Sequence, residues 1–120
     1  MPSRPAIVLA GIAVVGLAGL SACRPGSREV SIPKGAVVVT AQHLKFQPAV
    51  VTARVGQPVV WVFDDQDVPH NVTSIPSGPL HSALETSGTY QHTFTRPGTY
   101  NYECTIHVLD GMTGTVIVTG

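Results

Sequence analysis

The sequence predicts an all-β chain, a Greek-key β-sandwich or barrel of seven or eight strands. Short runs rich in Val, Thr, Tyr and Phe recur at close spacing from residue 36 to residue 120. Turn residues separate them, as at Gly56-Gln57-Pro58 and Arg96-Pro97-Gly98. No stretch of useful length carries helical periodicity. At 120 residues there is room for one domain, and 43% hydrophobic residues are ample for its core. A formal net charge of zero offers no basic face for nucleic acid.

The chain opens with a leader. Arg4 gives a short basic start, and Ala6 to Leu20 is a continuous apolar run. The run is short for a membrane span, which needs about 20 apolar residues, and fits a secretory core segment better. Leu20-Ser21-Ala22-Cys23 follows and resembles the bacterial lipobox. That resemblance implies a signal peptide over residues 1–22, lipidation of Cys23 and an exported protein anchored to a bacterial membrane, facing the periplasm or the cell exterior. The competing reading is a plain signal peptide or an uncleaved anchor. Residues 23–35 are polar, with Pro25 and Gly26, and read as a flexible tether. Residues 36–120 form the domain.

Its elements follow in order. Ala36 to Thr40 is a β-branched run. Leu44 to Gln47 alternates and stops at Pro48. Val50 to Val55 is a further strand, and Val59 to Phe63, apolar on both faces, reads as a central one. Residues 74–88 hold Pro76, Gly78, Pro79 and Gly88 and read as loop, with at most a helical turn at Ser82 to Glu85. Thr89 to Thr95, Thr99 to Cys104 and Thr113 to Thr119 complete the set. Side chains alternate faces along a strand. If Cys104 points inward, so do Tyr102 and Tyr100, while Asn101 and Glu103 point out. Tyr90, His92 and Phe94 share a face by the same rule.

The chemistry concentrates in Cys104-Thr105-Ile106-His107-Val108-Leu109-Asp110-Gly111-Met112. A thiol, an imidazole and a thioether lie in one loop, and His70 stands upstream behind Pro69. Two His, a Cys and a weakly bound Met are the ligand set of a blue-copper site. Pro69 stiffens the approach to His70, and Gly111 and Gly114 flank Met112 as turn formers. A disulfide between Cys23 and Cys104 is the competing use of the two cysteines. The leader accounts for Cys23, and the neighbouring soft ligands account for Cys104. Asp64, Asp65 and Asp67 precede His70 and read either as a solvated turn or as an acidic rim steering a cationic partner. His43, His81 and His92 are not ligands in this reading.

Several separated pieces then fall in one order. They are Phe46-x-Pro48, Gly56-x-Pro58-Val59-x-Trp61, Pro69-His70-Asn71, His92-Thr93-Phe94, Pro97-Gly98-Thr99-Tyr100 and Cys104-x-x-His107-x-x-x-x-Met112. Together they resemble the plastocyanin-like branch of the cupredoxins from about Leu44 to Val118, and the lipid anchor resembles halocyanin-type proteins. The resemblance implies one copper, with His70, Cys104 and His107 equatorial and Met112 axial. It also implies that Asn71 and Thr105 join the two ligand loops, and that His107 is the exposed ligand in an apolar patch, with Pro69, Val108 and Leu109 as candidates. The sequence departs from plant plastocyanins at Glu103, where they carry a Tyr, and at Asp64-Asp65, near the place of an Asn.

The function expected is one-electron transfer between redox proteins that dock near His107, with no nucleic acid and no small-molecule substrate. Two other classes are open. One is a copper-binding or copper-delivery protein without a redox cycle, using the same ligands. The other is an enzyme with Cys104 as nucleophile and a His base, which has no oxyanion-hole signal to support it. A zinc site would make unusual use of a Met.

Overall fold

The computed structural model describes residues 30–120. The leader, Cys23 and the tether as far as residue 29 lie outside the described residues. Within them the chain forms β1 (Val37–Gln42), β2 (Lys45–Gln47), β3 (Val50–Arg54), β4 (Pro58–Phe63), β5 (Thr73–Ser74), β6 (Thr89–Thr93), β7 (Gly98–Glu103) and β8 (Thr113–Thr119). They build two mixed four-stranded sheets, β2-β1-β4-β6 and β3-β8-β7-β5. β1 runs parallel to β4, and β3 to β8; the other pairs are antiparallel. The all-β expectation holds, with eight strands. No helix among the described residues is long and apolar enough to cross a membrane.

Two features differ from the sequence reading. The helical turn is not at Ser82 to Glu85, where Glu85 instead forms a bridge with His70. It is a 3-10 turn, Val108–Asp110, inside the ligand loop, closed by Gly111 at φ 82°. The start of the region read as loop, with the residue before it, also forms β5. Two residues are too short for a periodic signal, and β5 exists only because β7 pairs with it, Ser74 to Tyr102 and Thr73 to Glu103.

β4 is central, as its two-sided apolar character requires, lying between β1 and β6. Its Trp61 is fully buried and meets Tyr102 of the opposite sheet edge-on, with ring centroids 5.4 Å apart. Phe46 also meets Tyr102 edge-on, with ring centroids 4.7 Å apart. Along β7 and into Cys104 the alternation holds at Tyr102 and Cys104, both buried, and at Asn101, exposed, while Tyr100 and Glu103 are both half-buried. On β6, Tyr90 and His92 are half-buried, and Phe94 just beyond it is buried.

Tyr102 fits only because its cross-strand partner is Gly114. A Cβ at Gly114 would sit inside contact distance of the phenol ring. Gly114 is thus a packing residue of β8 rather than a turn former, and of the two glycines beside Met112 only Gly111 turns the chain.

Burial pushes the Tyr102 hydroxyl up to about 12 from 10.0; the Trp61 indole N–H opposes this in part, though neither group closes a hydrogen bond. The folded state therefore holds this proton more tightly than the unfolded chain. Its contribution is complete below pH 10 and lost as pH rises toward 12. Two units at about 1.4 kcal/mol each predict a loss of about 3 kcal/mol over that window. Denaturant titrations at pH 9 and pH 12 should show it in the wild type and not in Tyr102→Phe. Equal losses in both would refute the assignment.

Candidate metal centre

The second loop is fixed by its own backbone. The Cys104 N–H donates to the Met112 carbonyl at 3.0 Å, and the Met112 N–H to the His107 carbonyl at 3.3 Å. The His107 N–H returns to the Cys104 carbonyl at 3.2 Å. These bonds fold nine residues so that Cys104 and Met112 are both fully buried at one end of the sandwich. The first loop is held just as firmly. His70 and Glu85 exchange backbone bonds of 3.0 and 2.8 Å, and the Val72 N–H donates to Ser82 Oγ at 2.8 Å.

Between the loops three donor atoms converge. Cys104 Sγ lies 3.8 Å from His70 Nδ1 and 3.5 Å from His107 Nδ1, and the two Nδ1 atoms are 3.1 Å apart. The circle through these three points has a radius of about 2.0 Å. Metal–imidazole and metal–thiolate bonds are about 2.0–2.3 Å long. One proton can bridge one side of this triangle, whereas one soft cation satisfies all three donors at once.

Asn71 and Thr105 tie the loops together. The Thr105 N–H donates to Asn71 Oδ1 at 2.8 Å, and Asn71 Nδ2 donates to Thr105 Oγ1 at 3.0 Å. Asn71 is buried while Thr105 is exposed, so the pair spans the edge of the site.

His70 is fully buried, whereas His107 is half-buried at the surface. Around His107, Leu109 is 99% exposed and Ile106 48%, while Val108 and Pro69 are half-buried. The sequence reading missed Ile106. It lies between Cys104 and His107 in a loop without strand or helix period, so no pattern assigned it a face.

The acidic run divides. Asp64 and Asp67 are exposed, but Asp65 is turned inward, and its Oδ2 lies 2.7 Å from His70 Nε2. The Leu44 N–H donates to the same oxygen at 3.1 Å. Burial pushes the Asp65 carboxyl up. The bonds from His70, Leu44 and His43 and the attraction of His70 outweigh it and hold the group below its ordinary value. Neither reading of the acidic run described this residue. Its signal is a contact between segments, invisible to a local scan.

The remaining imidazoles lie elsewhere. His43 and His81 are exposed. His92 is half-buried against Phe94, ring centroids 4.7 Å apart, and burial pushes its pKa down. Among the described residues only His70, Cys104 and His107 cluster as metal-binding side chains.

Residues 33–119 match the family of copper binding proteins that comprises plastocyanin and azurin. The chain belongs to that family. This cupredoxin is 33% identical over 93 residues to amicyanin from Paracoccus denitrificans, an alignment spanning 72% of this chain and 68% of amicyanin. It is 35% identical over 86 residues to plastocyanin from Scenedesmus fuscus, spanning 62% of this chain and 87% of that one. The crystal structure of amicyanin from Paracoccus versutus superposes with a TM-score of 0.63 at 34% identity, covering 72% of this chain and 84% of the other. The cofactor of this cupredoxin is one copper ion, and the donor triangle is of the size and softness that copper takes.

Proposed function

We propose that this protein carries single electrons through a type 1 copper between redox proteins at the outer face of a membrane. His70, Cys104 and His107 hold the metal, with Met112 as the weak fourth ligand. The observation that carries the reading is the triangle of two imidazole nitrogens and one cysteine sulfur, closed by two cross-bonded loops. When bound, copper supplies a one-electron couple between its cuprous and cupric states. Sulfur from Cys104 suits the first, and the imidazoles suit both. Two sheets and the Asn71–Thr105 bonds keep the donors in place whichever state is present. Three of the four donors, His70, Cys104 and Met112, are fully buried and only the His107 ring reaches the surface, which supports a carrier over an enzyme.

His107 is the half-exposed ligand, so its ring edge is the shortest way out. Leu109 and Ile106 around it give an apolar contact for a small, short-lived redox interface. The copper-loaded full chain should show an intense thiolate-to-copper visible band and a reversible one-electron wave. A colourless copper complex would refute the reading. A blue chain that surrenders copper to partners but has no reversible wave would point to copper delivery.

The anchor rests on the sequence of the leader. Cleavage before Cys23 and its acylation would hold the domain to the membrane by a tether of about a dozen residues, at about 0.8 kcal/mol per buried CH₂. Cells expressing the full chain should incorporate labelled fatty acid into it, and Cys23→Ser should abolish the label and release the protein from the membrane fraction. Label persisting in Cys23→Ser would exclude this site.

A further inference from the structure

Asp65 has a contact that neither loop of the copper site requires. His70 Nε2 faces a carboxylate, which only accepts, so in the neutral ring the proton sits on Nε2 and Nδ1 turns its lone pair toward the Cys104 sulfur. That proton points at Asp65 Oδ2, 2.7 Å away, from a ring that is fully buried. The carboxylate is itself placed from outside the loop. β1 and β2 are joined by His43 and Leu44, both at φ 58°, a two-residue turn of the kind Asn-Gly usually forms. Each non-glycine residue there costs about 1–2 kcal/mol, yet the turn aims the Leu44 N–H at Oδ2. Asp65 thus lies between a hairpin of one sheet and a ligand at the sheet ends, while Asp64 and Asp67 face solvent.

We propose that Asp65 is a positioning residue of the copper site: it fixes the tautomer and direction of His70 and places a negative charge behind it that favours the cupric state. The inference rests on His70 being a copper ligand. A carboxylate accepting from the remote nitrogen makes an imidazole a stronger donor, and such partners are worth about 10–100-fold in metal affinity. The added electron density stabilises the higher charge more, so it holds the reduction potential down.

The experiment compares the full-length wild type with Asp65→Asn, which keeps an oxygen acceptor but not the charge, and with Asp64→Asn and Asp67→Asn. In the copper-free wild type, nitrogen NMR should show His70 protonated at Nε2 only. Copper-loaded Asp65→Asn should stay blue, bind Cu(II) about 10–100-fold more weakly and lose less affinity for Cu(I). Each tenfold of that difference raises the potential by about 59 mV. The Asp64 and Asp67 variants should move it far less. An unchanged potential in Asp65→Asn, an equal shift in the exposed variants, or a wild-type His70 protonated at Nδ1 would overturn the proposal. A wild type without a blue band would instead refute the copper-ligand reading, and the copper-free tautomer would remain a separate measurement.

Discussion

Cys104→Ser should give a chain that folds, binds copper weakly and has no intense visible band. The side chain is fully buried, and its sulfur forms two of the three sides of the donor triangle. A hydroxyl is close in size but is a hard donor that stays protonated near neutral pH, so both the charge-transfer partner and the Cu(I) preference go. Outer partners of metal ligands are worth about 10–100-fold in affinity, and loss of the thiolate itself should exceed roughly 100-fold. The core changes little in volume, so thermal unfolding of the copper-free variant should stay close to the wild type. Copper titration followed by absorbance and EPR reads the first effect, and copper-free calorimetry the second. A blue spectrum surviving in Cys104→Ser would mean that the copper thiolate lies elsewhere and would refute the assignment.

Gly114→Ala should be the most damaging single methyl in the domain. Its Cβ would enter the space of the Tyr102 ring. That ring is fully buried and already meets Phe46 and Trp61, with centroids 4.7 and 5.4 Å away, so it has little room to move aside. Overpacking of this kind costs about 1–3 kcal/mol and occasionally more. At the upper end, about 3 kcal/mol, a domain of this size would melt some 10–20 °C lower. Tyr102 is also two residues before Cys104, which directly follows β7, so a displaced ring should disturb the site as well as the core. Adding Tyr102→Leu to Gly114→Ala should recover part of the loss, and a double-mutant cycle measures that coupling. Additive effects would show that the glycine acts in some way other than making room for the ring.

Much of this molecule was legible along the chain. Strand alternation depends on neighbours two apart, so the inward set Tyr102 and Cys104 and the two-sided β4 could be read from β7 and β4 alone. The order Pro69-His70-Asn71, Cys104, His107, Met112 is a matter of spacing, and it picked out the three side chains that the fold gathers into one triangle. Chemistry carried by residue type, such as soft sulfur beside imidazole, needs no coordinates.

Other features depend on residues that meet only when the sheets close. Asp65 looked like its exposed neighbours until the β1–β2 turn, 21 residues away at Leu44, was laid against it. Gly114 read as a turn residue because nothing local shows that Tyr102 lies across from it in the next strand. β5 has no periodicity of its own and exists by pairing with β7, and Ser82 to Glu85 forms no helical turn because Glu85 bonds to His70. In each case local preference is worth tenths of a kcal/mol to about one, whereas a buried bond or a filled ring contact is worth one to several. The sequence by itself picked out the side chains that gather at the candidate copper site and which way the strands face. The tertiary structure alone decided which neighbours hold them, because those forces act across the sheets and not along the chain.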